Sequence, residues 1–289
     1  MAFAKSTTAG FAARIRALGA KLVPLAILPL SAVLVLQVLP ASAATATNPF
    51  PAGQTGYDAS YPQCPQLSST SGASFAIIGL GHGRPFTENS CAPTLWGQAT
   101  TFNSTGSEIA AYFNTGYSGA YSKDITTPCL DAEGNQGITG NPHVVSQEEQ
   151  AWAIGCSEAD YAMAYALSFS SGAVNPAMWW ADVETGNSWS TNVLLNQWTI
   201  NGITDELATP VNSAVAVEGG HPVGIYSYPA AWNSITGGGS YQPTSSDASW
   251  LAGTSSSTCS NSAANFDGQP LWVLQYGGFP GGGDQDTAC

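Results

Sequence analysis

Positive charge is scarce in this chain. Its 289 residues include six Lys and Arg against 19 Asp and Glu. Four of the six cations, Lys5, Arg14, Arg16 and Lys21, lie near the N-terminus, so Arg84 and Lys123 are the only ones beyond residue 43. A chain so poor in cations lacks the surface that phosphate backbones require, which excludes nucleic acid as a partner. An anionic membrane surface is excluded on the same ground. Charged residues of either sign make up only 9% of the chain. The fold therefore has to rest on apolar burial and hydrogen bonds more than on ion pairs.

Other absences narrow the chemistry. No G-x-S-x-G occurs, so a serine hydrolase of the α/β type has no anchor. No Cys and His stand at the close spacing that zinc needs. His143 and His221 each adjoin a proline in a loop, without metal spacing. Gly79-Leu80-Gly81-His82-Gly83 departs from a dinucleotide turn because Arg84-Pro85 interrupts it. His82 is placed at a strand end, either touching substrate or in a structural or solvent-facing role. No internal repeat is visible, and no cofactor or metal is expected.

What is present begins with an export signal. The basic residues above precede an apolar run from Leu22 to Leu39, which ends at Pro40 and an Ala41-Ser42-Ala43 cleavage box. The run is about long enough to span a membrane, but Pro24 and Pro29 weaken it as a helix. The expectation is a signal peptide over 1–43, a linker over 44–54 and a single domain over 55–289. Two consecutive arginines are absent, so export runs through the general secretory route. The secreted form would be a monomer of 246 residues with no membrane span. Two cations against 19 acids would give it a charge of −17. All six cysteines, Cys64, Cys91, Cys129, Cys156, Cys259 and Cys289, lie in the exported part and read as disulfides. Of fifteen possible pairings, that of chain neighbours is the expected one.

Apolar runs alternate with helical patterns, as in a parallel α/β sheet. Strands are expected at 56–59, 75–80, 108–114, 177–183, 223–227, 249–252 and 271–275. One helix begins near Ser146, with Glu149 three residues on as a capping box. A second runs from about Thr191 to Leu207, with Val193, Ile200, Ile203 and Leu207 on one face. Long loops are expected over 115–143, tethered by Cys129, and over 233–248. Loops of that length are uncommon unless functional or disordered.

The stretch Met178-Trp179-Trp180-Ala181-Asp182-Val183-Glu184 carries the most chemistry. Side chains alternate along a strand, so Trp180, Asp182 and Glu184 point one way, and Trp179, Ala181 and Val183 the other. Two carboxylates at the end of a buried strand are costly there unless something uses them. They could cap the next helix. They could also cleave a glycosidic bond, which needs a carboxylic acid to protonate the leaving oxygen and a second carboxylate as nucleophile, base or charge stabiliser. Positions i and i+2 are about 6.6 Å apart, a spacing that leaves retaining and inverting outcomes both open. Trp189 and Trp232, which follow strands, are candidates for sugar stacking.

Several motifs in order carry a family resemblance. Gly56-Tyr57-Asp58-Ala59-Ser60-Tyr61-Pro62-Gln63 resembles the G-x-D-x-S-x-x-Q opening of glycoside hydrolase family 25, the lysozyme-type muramidases. Asp182-Val183-Glu184 is similar to that family's D-x-E. Val223–Ser227, Ser249-Trp250-Leu251-Ala252 and Trp272-Val273-Leu274-Gln275-Tyr276 resemble its later strands, and Gly283-Asp284-Gln285-Asp286 is similar to its acidic final element. The likeness is nearest to a secreted, glycoside-hydrolase-like bacterial branch. It departs from the family in longer, disulfide-tethered loops and in lacking a recognisable wall-binding repeat.

The resemblance implies a TIM-like (β/α) barrel with Asp58, Asp182, Glu184 and Asp284 or Asp286 around one pocket. Glu184 would be the general acid. Asp182 would orient water or a substrate amide, or stabilise positive charge. Asp58 and a C-terminal acid, Asp284 or Asp286, would be supporting carboxylates, and Tyr226 and Gln275 would line the pocket. The expected function is hydrolysis of peptidoglycan or a related amino-sugar polysaccharide. The alternative is a non-catalytic carbohydrate-binding or envelope-associated protein that keeps the barrel.

Overall fold

Short runs of Ala, Ile, Val and aromatic residues pair edge to edge. In the computed structural model, eight strands among the described residues close into one barrel. They are β1 (Thr55–Ala59), β2 (Phe75–Gly79), β3 (Ile109–Asn114), β4 (Trp179–Asp182), β5 (Val223–Ser227), β6 (Ala248–Ala252), β7 (Leu271–Gly278) and β8 (Asp284–Ala288). The structure describes residues 46–102, 108–133, 146–215, 221–238, 240–253, 259–260 and 266–289, without the side chains of 102 and 133. The expected signal peptide and His143 lie outside these residues. No helix among the described residues is long and apolar enough to cross a membrane.

Strands β1 to β7 run parallel in chain order. Strand β8 is antiparallel to both β7 and β1, and it closes the barrel. Sequence reading treats Asp284–Asp286 only as an acidic element, because Asp is depleted in strands. Pairing on both edges overrides that local preference.

Two apolar layers follow the strand alternation. Outward side chains, among them Tyr57, Ile78, Phe113, Trp179, Ala181, Val183 and Ile225, pack against helices. Inward ones, among them Phe75, Ile77, Met178, Trp180 and Trp250, fill the lumen. The Trp180 ring fits because its neighbour on β5 is Gly224, where a Cβ would stand 2.2 Å from the ring.

The helices are α1 (Ala92–Phe102), α2 (Thr127–Glu133), α3 (Gln147–Phe169), α4 (Val193–Ala208) and α5 (Pro229–Thr236). The expected capping box opens α3: Ser146 Oγ accepts from the Glu149 N–H at 3.1 Å, and Glu149 accepts from the Ser146 N–H at 2.6 Å. Both expected long loops need correction. The one over 115–143 contains α2, and the one over 233–248 begins inside α5. The α5 signals are a first-turn Pro229 and a left-handed Gly237 (φ 83°) after its end. Three disulfides join chain neighbours: Cys64–Cys91, Cys129–Cys156 and Cys259–Cys289. The second ties α2 to α3, and the third anchors the C-terminal residue.

Helices α3 and α4 approach closely because glycine stands on both. A Cβ at Gly155 would lie 1.9 Å from the Thr199 carbonyl oxygen, and one at Gly202 would lie 2.0 Å from that of Trp152. The backbones would have to part. Gly202→Ala is expected to destabilise the domain by about 1–3 kcal/mol, read as a lower urea midpoint. An unchanged midpoint would contradict this close packing.

Candidate active site

Parallel strands end on one side of a barrel, so their last inward residues meet there. Register does this here: Asn114 on β3 pairs with Asp182 on β4, Asp182 with Tyr226 on β5, and Tyr226 with Trp250 on β6. Across the barrel, Asp58 on β1 pairs with Asp284 on β8. The resulting cleft has a volume of about 210 Å³ and is lined by Asp58, Asp182, Glu184, Asp284, Tyr226 and Gln275 together with Tyr112, Asn114 and Trp250. Sequence reasoning placed the first six at the site and missed the last three. Alternation along β3 and β6 was the available signal, since Tyr112, Asn114 and Trp250 all share the inward phase.

Hydrogen bonds fix the ring of side chains. Gln275 Nε2 donates to Asp58 Oδ2 at 2.7 Å, and Tyr226 OH donates to Gln275 Oε1 at 2.7 Å. Asn114 Nδ2 donates to Asp182 Oδ2. Asp182 Oδ1 is buried and has no hydrogen-bond partner among the described residues. The Ser and Gln of the first motif serve the turn instead: the Ser60 N–H donates to Gln63 Oε1 at 2.8 Å, holding the chain where it leaves β1.

Glu184 lies just past β4 and is half-buried. The strand ladder continues far enough to hold it, since the Val183 N–H donates to Tyr226 O at 2.9 Å and Ser227 Oγ donates to Val183 O at 2.7 Å. Trp189 Nε1 donates to the Glu184 carbonyl at 2.8 Å. Trp189 thus braces the loop rather than lining the cleft. Trp232 is fully buried in the outer core against Tyr241 and Phe266, so its expected place at a sugar pocket is corrected. Asp286 lies beneath the cleft rather than in its wall: it is fully buried, and Trp250 Nε1 donates to it at 2.9 Å. His82 is exposed and stacks on Tyr61 with ring centres 4.1 Å apart.

No Lys or Arg lines this cleft, and the acids respond accordingly. Burial pushes Asp58 up to about 7, against a lowering donation from Gln275 and a further rise from the Asp284 charge. Asp182 is held well above the usual carboxylate range by burial and then by the Glu184 charge, with Asn114 pulling the other way. Burial also raises Glu184 and Asp284. Asp286 is pushed well up by burial and by the Asp58 charge. Elsewhere among the described residues, Cys129, Cys156 and Glu206 could bring three ligating atoms within 4.8 Å of one another. Both sulfurs are spent in a disulfide.

A scan against protein-family models finds no match to the chain, and a search of the curated proteins finds none either. Among solved structures, the chain is similar to the catalytic domain of the endolysin ply40 from bacteriophage P40 of Listeria monocytogenes. Identity is 13% and the TM-score 0.46, over 82% of this chain and 93% of that one.

The raised acids couple folding to pH. Asp58 and Glu206 both lie near 7 in the folded protein, whereas unfolded carboxyls titrate near 4. Between those values the folded state holds protons that the unfolded chain has released. Stability is therefore full below about pH 4 and falls as pH rises toward 7, by about 1.4 kcal/mol per pH unit for each such proton. The melting temperature is expected to fall from about pH 5 to pH 8, and less steeply in Asp58→Asn, where Glu206 still contributes. A flat or rising profile would contradict these shifts.

Proposed function

We propose that this protein is a glycosidase acting on peptidoglycan or a related amino-sugar polysaccharide. The observation that carries the reading is the convergence of Asp182 and Glu184, with Asp58 and Asp284, in one open cleft at the strand ends. The ordered resemblance to glycoside hydrolase family 25 supports it.

Two neighbouring carboxyls that burial raises resist ionising together, so the pair keeps a proton longer than free carboxyls do. Glu184, the more open of the two, delivers that proton to the glycosidic oxygen as the bond to the anomeric carbon breaks. Asp182, fixed by Asn114, stabilises the positive charge that develops there, or orients the water or amide that attacks. Tyr226 and Gln275 hold Asp58 in place across the cleft. The polar wall suits a hydroxyl-rich ligand, and the Trp250 ring adds an apolar face.

The test is release of reducing ends from a panel of wall and neutral polysaccharides. Glu184→Gln is expected to lower turnover by about 10²–10⁴-fold while leaving the melting temperature near that of the parent. Undiminished turnover in the variant would remove Glu184 from its role. Glycan binding without turnover in the parent protein would favour the non-catalytic carbohydrate-binding reading instead.

A further inference from the structure

The chain beyond residue 43 has two cations against 19 acids. Both belong to segments that border one cleft. Arg84 lies on the loop between β2 and α1. It lines a cleft of about 270 Å³ together with Pro85, Tyr121, Gly186, Asn187 and Ser188. Lys123 follows Tyr121 by two residues in the same 3₁₀ turn, Gly119–Asp124. In a domain this acidic, the placement of its few cations decides where an anion can settle.

The local chemistry agrees. Arg84 is exposed, and its guanidinium has no hydrogen bond or ion pair to any described residue. No carboxylate lines this cleft. The neighbouring acids Glu88 and Asp124 act on Tyr161 of α3, and Glu88 accepts from the Tyr161 hydroxyl at 3.2 Å. Glu88 lines the adjoining cleft of about 820 Å³, which shares Arg84 and Gly186 with this one and lies beside the Tyr61–His82 stack. The Tyr121 hydroxyl, the Asn187 amide and the Ser188 hydroxyl can donate to the same ligand as Arg84. A guanidinium with neutral donors around it suits a planar or tetrahedral oxyanion.

The cleft also adjoins the acids. Gly186 lines it two residues after Glu184, within about 7 Å along the chain. The loop after β4 therefore borders both clefts, and a glycan that lies across Glu184 and follows this loop meets the Arg84 cleft.

We infer that the Arg84 cleft is an anion subsite that selects glycans carrying a carboxylate or phosphate close to the bond presented to Glu184. This rests on the glycosidase reading for its substrate. It reverses what the overall charge implies. The acidic surface repels anionic polymers at a distance, while this one cleft accepts the anion that a productive register brings in.

The test compares Glu184→Gln, which blocks turnover, with the double variant Glu184→Gln/Arg84→Gln. Affinity is measured by calorimetry for solubilised wall glycan in three forms: untreated, stripped of phosphate, and stripped of phosphate with its carboxylates converted to methylamides. The double variant is expected to bind untreated glycan about tenfold more weakly at low salt, a loss that shrinks as salt rises. The difference should vanish on the fully neutralised glycan. Its disappearance on phosphate removal alone identifies phosphate as the anion, and its persistence there identifies carboxylate. Equal affinities for untreated glycan, a difference that survives on the neutral form, or no binding of any form would overturn the inference. Cleavage by the parent protein is read separately. A binding difference without cleavage would sink the glycosidase reading and leave the anion subsite standing.

Discussion

Carboxylates taken out of water without a cation beside them hold on to their protons. That constraint governs the open end of this barrel. Asp58, Asp182 and Asp286 are 6%, 4% and 0% exposed, and each is pushed upward chiefly by burial. Asp58 and Asp286 also meet each other; the other side chains that reach these acids are neutral donors, Gln275 to Asp58, Asn114 to Asp182 and Trp250 to Asp286. Such partners orient a carboxyl without neutralising it. An arginine in any of these places would have held the acids ionised. The scarcity of cations is thus a condition for a site that keeps exchangeable protons near neutral pH.

The barrel supplies the geometry for that burial. Parallel register lines up Asn114, Asp182, Tyr226 and Trp250 at one level. The antiparallel β8 brings Asp284 and Asp286 alongside Asp58. Beneath them Trp180 fills the lumen, its ring 5.6 Å from that of Trp250. That apolar plug excludes water from below and leaves the cleft open at one end. Gly224 makes the plug possible by leaving space for the Trp180 ring. The loop after β4 then carries two chemistries in succession: Glu184 against the acids, and Gly186 to Ser188 against Arg84.

Period-2 patterning made much of this legible from sequence. The seven parallel strands are apolar runs between turn signals, and the split of Trp179 and Trp180 onto opposite layers follows from alternation alone. The two longest helices announced themselves by caps and spacing. What escaped reading were elements defined by contacts distant in sequence. Strand β8 is too polar to look like a strand until its two neighbours are in place. Helix α2 hides in a polar stretch and is tied by Cys129 to α3. Asp284 and Asp286 share one face of β8 and look equivalent in sequence, yet the deeper Asp286 is fully buried against Trp250 while Asp284 stands at the rim. Trp232 follows a strand, as a pocket residue would, but α5 turns it into the outer core. Asn114 shows the limit most plainly. Nothing in its neighbours along the chain indicates that it faces Asp182, 68 residues away.

Acids at the barrel end thus hold protons at a pH where free carboxyls have lost them. Infrared titration of the folded domain reads this directly through the carbonyl stretch of neutral carboxylic acids. A neutral-acid band is expected to persist at about pH 6, well above the range of unfolded Asp and Glu, and to weaken in Asp58→Asn. Complete loss of that band by about pH 5 would contradict it, because the buried carboxyls would then be ionised like those on any surface.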